Sequence, residues 1–310
     1  MLFVGQRLLR RYRLLCGLSA GLAAATSLTA QEVRQAEIPP GELVRQVVAR
    51  EVAAANSDPV RHIFSSRKQT PKGSQTKLYV ETKDAMAGML IANNDQPLNP
   101  QQQQAETDHL TWLINNPDQL RKKKTREKED ADRTLRIVKA LPDAFLYEYA
   151  GTEIGRADLG RPDDPLTRLK FRPNPAYSPP SRVEQVLEGM EGFLLIDPAA
   201  RRIAKIDGTL FREVSFGWGI LGRLDQGGQF LVQQADVDHG DWEITRLTLR
   251  VTGKILLFKS LSMISDETLS DYRRVADNLT FSQGVEMLKA ERDLHLRPAE
   301  TSTSKKTSPQ

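Results

Sequence analysis

The chain has 310 residues, which is enough for one large domain or two small ones. Its pI near 9.1 suggests a nucleic-acid partner, but the basicity is concentrated at one end. Residues 1–30 hold Arg7, Arg10, Arg11 and Arg13 and no acidic residue, so the remainder carries 40 Lys+Arg against 40 Asp+Glu. A neutral chain has no general attraction for phosphate backbones, which argues against nucleic acid as a partner.

The first 30 residues have the pattern of a cleavable secretory signal peptide. A basic start is followed by an apolar run from Leu14 to Leu28 and by small residues before Gln31. Cleavage is expected after Ala30, and Ser27 is a competing site. The run is short and broken by Gly and Ser, which disfavours a membrane span, although an uncleaved N-terminal anchor is the alternative. The mature chain is therefore expected to be exported, without an integral membrane span.

The only cysteine of the chain, Cys16, lies inside this segment. Leu14 and Leu15 precede it, where a lipidated cysteine needs a small residue, so no lipoprotein is predicted. The mature chain would then have no disulfide and no thiolate metal site. An exported protein without disulfides fits the periplasm of a Gram-negative bacterium.

The first predicted elements are one helix and a small meander. Residues 41–55 carry Val44, Val47, Val48 and Val52 at helical spacing, which predicts an amphipathic helix. Strands are predicted at residues 61–67, 76–81 and 86–93, separated by polar turns.

A helical insertion is predicted at about residues 100–140. Asn116 followed by Pro117 is a good helix start, and the chain is heavily charged from there to Lys139. The basic run at residues 121–124 suggests an anionic partner such as lipid headgroups. The alternative is a solvated helix face, because acidic residues at 127–132 balance the run within two turns.

The longest pattern is an antiparallel meander at residues 192–263. Apolar and polar residues alternate from Ala204 onward, so one face of each strand is apolar and the other is polar and faces solvent. The alternation changes phase between Trp242 and Leu247, which predicts a β-bulge. Before the meander, strands are predicted at 145–149 and 169–171, with a loop at 151–165 between them. A short helix capped by Ser181 and Glu184 follows.

Residues 271–279 and 282–292 after the meander are predicted to be partly helical, and residues 298–310 to be a disordered tail. The domain organisation expected is a signal peptide at 1–30, a single α+β domain at 31–297, and the tail.

The motifs for chemistry are weak. Residues 217–222 spell GxGxxG, but a further strand follows where a dinucleotide site needs a helix. Asp236, Asp238 and Asp241 surround a hairpin tip, yet they lack the remaining ligands of a calcium loop. The four histidines have no metal-ligand spacing with one another. We therefore predict no catalytic residue, metal or cofactor, and a protein that is not an enzyme.

Strands, a helical insertion and a long meander behind a signal peptide resemble the lipoprotein-localisation-factor superfamily, the LolA/LolB-like proteins. Residues 206–210, 216–222 and 252–254 are more similar to uncharacterised exported proteins of acidobacterial type. The resemblance implies an α+β fold: a curved, incompletely closed antiparallel β-sheet, a half-barrel, with helices covering its concave face. It also implies a cavity that accepts acyl chains.

The expected function is a soluble periplasmic carrier or binding protein for lipids or lipidated proteins, in which acyl chains are buried in an apolar cavity. Seven residues are candidates for the cavity wall: Trp112, Met190, Phe216, Trp218, Phe230, Trp242 and Phe258. The alternative is a non-catalytic envelope interaction or sensing protein with a filled core, which would act on an envelope protein partner through its surface, including the helix at 117–139.

Overall fold

One antiparallel sheet runs through the structure, a computed structural model that describes residues 38–217, 221–255 and 259–296. Its strands are β1 (Arg61–Thr70), β2 (Gly73–Val80), β3 (Ala87–Asn93), β4 (Gln96–Pro97), β5 (Phe145–Ile154), β6 (Pro165–Pro173), β7 (Met190–Asp197), β8 (Arg202–Leu210), β9 (Val214–Phe216), β10 (Gly222–Leu224), β11 (Gln229–Asp238), β12 (Asp241–Ile255) and β13 (Lys259–Val275). The helices are α1 (Pro40–Ala55), α2 (Pro100–Asn115), α3 (Pro117–Ala144), α4 (Arg182–Gln185) and α5 (Phe281–Leu296), with a 3-10 turn at Val186–Gly189.

The sheet is open. Its main strand order is β4-β3-β2-β1-β13-β12-β11-β8-β7-β6-β5, so β4 and β5 form its two edges, and β10 joins β9 to β12 off this path. The predicted class, an α+β half-barrel with an incompletely closed antiparallel sheet, is confirmed. Strands β1 and β13 pair at the centre, although about 200 residues separate them, as the pair Ser66 and Leu269 shows.

Helix α3 connects the two sides of this open sheet. Near its start, Lys124 Nζ donates to the Lys83 carbonyl over 2.9 Å, and Glu127 accepts from the Met86 amide over 3.1 Å. Near its end, the Tyr147 hydroxyl donates to the Leu141 carbonyl over 2.7 Å. The first pair of contacts lies beside β2 and β3, and the last is to β5. The helix therefore passes over the sheet from one side to the other.

The inner face of the sheet is the face that α1 and α3 cover. Side chains alternate along each strand, and the register places Leu194 beside Ile206 and Ile206 beside Val232. Leu194 and Ile206 pack in one cluster with Val44 and Val47 of α1 and with Leu141 of α3. The apolar stripe predicted for residues 41–55 is therefore the stripe that α1 buries.

The outer face carries two smaller clusters. At one end, Ile63, Leu78 and Val80 pack against Phe281 and Val285 of α5. In the middle, Leu195 packs with Leu159, which lies in the loop between β5 and β6. Not every helix therefore lies on the inner face, because α5 covers the outer face of β1 to β3.

Two glycines allow β7 and β8 to approach closely. Gly192 pairs with Gly208, and a Cβ at Gly192 would lie 1.9 Å from the Asp207 carbonyl oxygen. A side chain at Gly192 therefore requires the two strands to separate, which explains a glycine inside a buried strand.

Most local predictions are confirmed, and parts of two are wrong. Residues 151–154, predicted to lie in a loop, belong to β5. The bulge predicted between Trp242 and Leu247 is present, since β11 and β12 change register between Gln233 and Gln234. Residues 282–292 are helical within α5, whereas residues 271–275 belong to β13 and not to a helix. The predicted signal peptide and tail lie outside the described residues. Among the described helices, none has the length and apolarity needed to cross a membrane.

Candidate functional site: an apolar cavity under helix α3

A cavity of about 250 Å³ lies between the C-terminal part of α3, the turn after α4 and the inner face of the sheet. Its wall is almost entirely apolar, with Gln229 as its one polar side chain among the described residues. The lining residues are Ile137, Leu141, Phe145, Phe171, Val186, Leu187, Met190, Ile206, Leu210, Leu224, Gly228, Gln229, Phe230, Leu249, Val251 and Met263.

The sheet supplies most of this wall through matched rows of side chains. Phe230 pairs with Leu249, and Val251 pairs with Met263, so these four residues share the inner face. Their faces follow from the register, because a shift of one residue would turn them outward. The apolar inner face thus continues from the core to the cavity.

Helix α3 supplies the opposite wall. Ile137 and Leu141 are four residues apart, which places them on one side of the helix. They are among the few apolar residues of a helix that is otherwise strongly charged, so this end of α3 is amphipathic. The helix is therefore held against the sheet by the residues that roof the cavity.

The cavity has an accessible side at β13. Met263 lines the cavity and is 42% exposed, so solvent reaches the wall at this residue. Ile255 follows on the same face of β12 and is 38% exposed. An apolar wall that continues to an exposed rim suits a ligand with an apolar chain.

The predicted wall residues divide into groups. Met190 and Phe230 line the cavity. Phe216 packs against the same core cluster without being part of the lining. Trp218 and Phe258 lie outside the described residues.

Two tryptophans that were expected in the wall, Trp242 and Trp112, do not line this cavity. Trp242 lies at the start of β12 and packs with Leu195 and Leu159, whereas the cavity is lined by Leu249 and Val251 from further along that strand. Trp112 lies on α2, where it is 47% exposed and stacks on His109. Most of the wall was not predicted. Leu141 could have been predicted, because Ile137 and Leu141 form an apolar pair, four residues apart, in an otherwise charged helix.

A second notable feature on the inner face is a polar cage around His62, which is 1% exposed. Its Nδ1 lies 3.4 Å from a Glu243 oxygen and 3.7 Å from a Glu81 oxygen, and its Nε2 lies 3.6 Å from an Asp241 oxygen. Neither ring nitrogen has a hydrogen-bond partner in the described part of the chain. The edge of the ring meets Tyr272 at 5.8 Å between centroids.

Burial sets the protonation of this cage. It raises the pKa of Glu243 to about 8, and the neighbouring charges of Glu81 and Asp241 add to the effect. Burial also raises the pKa of Glu81, although the amide and ring of His62 oppose the shift. Perturbed carboxylates can mark catalytic sites, and here they surround a histidine that is itself almost fully buried.

No group of three or more His, Cys, Asp or Glu side chains within the described ranges has the geometry to hold a metal ion.

Comparisons with known proteins give one structural likeness. No protein-family model matches the chain, and no curated protein sequence matches it. A solved structure of a putative outer membrane lipoprotein-sorting protein domain from Vibrio parahaemolyticus is similar to it, at 10% sequence identity and a TM-score of 0.29. The match covers 81% of this chain and 98% of the other. A TM-score this low does not show a shared fold.

Proposed function

We propose that this protein is a non-catalytic carrier or binding protein that holds an acyl chain, from a lipid or a lipidated protein, in the cavity under α3. The observation that supports this most is the nature of the wall. The residues around the cavity are apolar, and Met263 connects them to solvent. Burying each CH₂ group of a chain there would contribute about 0.8 kcal/mol.

The size of the cavity restricts the ligand. At about 250 Å³ it is slightly smaller than the roughly 300–1,000 Å³ of sites for drug-sized molecules. One acyl chain, or part of one, suits this volume better than a bulky multi-chain lipid. The remainder of a longer chain would leave past Met263.

The signal-peptide pattern of residues 1–30 supports a periplasmic setting for this activity. An exported acyl-chain carrier would need to shield the chain from water between membranes, and a cavity roofed by a helix is suited to that task.

A second candidate is a surface interaction protein of the envelope whose cavity is filled by its own side chains. It is favoured by the middle of α3, where Lys128 pairs with Asp132 and Arg133 pairs with Asp130 within the helix. These side chains are exposed, so this stretch of the helix is the surface that a protein partner would contact.

Native mass spectrometry of protein purified from its own cell envelope tests the proposal. We expect an adduct with the mass of a lipid, and uptake of fatty acid by protein from which that lipid was removed. Apo mass alone, together with no uptake of fatty acid, would reject the carrier and leave the surface interaction protein.

A further inference from the structure

A second concave site lies at the opposite end of α3 from the apolar cavity. It is a groove of about 560 Å³ between the N-terminal part of α3, helix α2 and the β2–β3 side of the sheet. Helix α3 faces it with Gln119, Lys122, Lys123, Arg126, Glu127 and Asp130. Their spacing of three and four residues shows that one side of the helix is turned to the groove.

The carboxylates of the groove are already engaged by the protein. Glu106 accepts from the Leu90 amide over 2.9 Å, and Glu127 accepts from the Met86 amide and pairs with Lys123. Asp130 pairs with Arg133, which is not part of the groove. Each of these carboxylates is therefore held in place by a group of the protein itself.

Three cations of the groove are in the opposite situation. Lys77, Lys122 and Arg126 make no ion pair or side-chain hydrogen bond with any residue of the described ranges. Arg121 and Lys128, on the same helix but outside the groove, both pair with aspartates. The lining therefore has a small excess of positive charge, four Lys and Arg side chains against three carboxylates, and three of the four cations are unpaired within the described part of the chain.

The rest of the groove is mostly apolar, with His109 and Gln119 as the exceptions. Tyr79, Leu110, Leu113 and Phe281 contribute to its lining, and Leu110 and Phe281 are almost fully buried. Trp112 adds an aromatic surface that is half exposed. An apolar floor beside unpaired cations is complementary to a molecule with an anionic end and an apolar body.

We propose that this groove binds a single-chain anionic amphiphile. Its phosphate or carboxylate head contacts Lys122, Arg126 and Lys77, and the first part of its chain lies on Tyr79, Trp112 and Leu113. The volume of about 560 Å³ suits a molecule of that size. The site does not depend on the cavity under α3, because the two share no lining residue.

Isothermal titration calorimetry of the full protein with dodecyl phosphate, dodecyl maltoside and inorganic phosphate tests the proposal. These titrations are made in a Met263→Trp background, which narrows the apolar cavity. Dodecyl phosphate is also titrated into the protein without that change, so that binding in the cavity and binding in the groove are distinguishable. The test variant is K122Q/R126Q. The matched control is R121Q/K128Q, which removes the same two charges from the same helix outside the groove.

We expect dodecyl phosphate to bind more tightly than dodecyl maltoside and inorganic phosphate, because only it has both the charge and the chain. K122Q/R126Q should weaken its binding by about tenfold or more, since hydrogen bonds to charged groups are the stronger class. The control should remain within about twofold of its parent, as screened surface charges allow.

Three outcomes would overturn the proposal. Equal loss in both double variants would show a general charge effect. Inorganic phosphate binding as tightly as dodecyl phosphate would show that the ligand is a free anion. Absence of dodecyl phosphate binding in the Met263→Trp background, with binding in the parent protein, would place the amphiphile in the cavity.

Discussion

The Nδ1 atom of His62 lies 3.4 Å from the Oε1 atom of Glu243, inside a sheet where both side chains are largely shielded from water. The two residues come from β1 and β12, which are separated by β13, so their contact ties three strands together. Asp241, beside them, also pairs with Arg274 of β13. The positive charges of Arg61 on β1 and Arg202 on β8 oppose the effect of burial: Arg61 lowers the pKa of Glu81, and Arg202 lowers the pKa of Glu243. The charge state of this cage therefore affects the stability of the centre of the sheet.

We predict that the free energy of unfolding falls as the pH rises from about 4.5 to about 8. Glu243 has its ordinary pKa of 4.5 in the unfolded chain and a pKa of about 8 in the fold, so the folded state binds more protons between these values. The contribution of Glu243 to the free energy of unfolding is complete below pH 4.5 and is lost as the pH rises past 8. The loss amounts to up to a few kcal/mol. Urea titrations at a series of pH values measure it.

Glu243→Gln should flatten this dependence, because glutamine resembles the protonated acid. Glu81 has its pKa raised in the same direction, so part of the slope should remain. Glu148→Gln, at a carboxylate that is 68% exposed, should leave the slope as it is in the wild type. If the free energy of unfolding of Glu243→Gln depends on pH as steeply as that of the wild type, Glu243 is not the group that binds the proton.

Glu51 joins α1 to the sheet, and its neutralisation should weaken that contact. Its Oε1 accepts from Arg202 Nε over 2.9 Å and from the Ile203 amide over 2.8 Å, and both charged side chains are 12% exposed. Glu51→Gln leaves a buried guanidinium without its counter-charge, so we expect a loss of about 1–3 kcal/mol in the free energy of unfolding. Glu42→Gln, at an exposed pair on the same helix, should cost less than about 1 kcal/mol. Equal losses from the two changes would contradict this role of Glu51.

The close approach of β7 and β8 predicts that Gly192→Ala is destabilising. The added Cβ would lie 1.9 Å from the Asp207 carbonyl oxygen, so the backbones must move apart. We expect a loss of about 1–3 kcal/mol, typical of overpacking. Gly41→Ala in α1 is the control, because nothing lies within 4 Å of its Cβ and alanine favours the helix. A thermal melt that shows no difference between the two variants would disprove the packing argument.

The local pattern predicted the long meander well, because one sheet face is buried and side chains alternate along a strand. It failed at residues 271–275, whose polar composition favours a helix or turn. They form a strand because β13 pairs with β1, a partner about 200 residues away that no local window includes.

The cavity was predictable only in part. The place of Phe230 in the wall is predicted by the alternation of the meander, and that of Met190 by the short helix before β7. Ile137 and Leu141 reach the wall because α3 returns across the sheet, which depends on tertiary contacts such as that of Tyr147 with Leu141. Trp242 does not line the cavity because it lies at the start of β12, and the alternation of a strand predicts which face a residue is on but not which part of the strand lines a cavity.

Equilibrium dialysis with radiolabelled palmitate tests the carrier proposal most directly, with variants at two adjacent residues of β13. Met263 faces the cavity and Ile264 faces the other side of the sheet, and they are 42% and 40% exposed, so both positions should accept a large side chain. We predict that the wild type and Ile264→Trp bind palmitate with similar affinity and that Met263→Trp binds it at least about tenfold more weakly, because the indole occupies the mouth. Equal binding by the two variants, or none by the wild type, would contradict an acyl chain in this cavity.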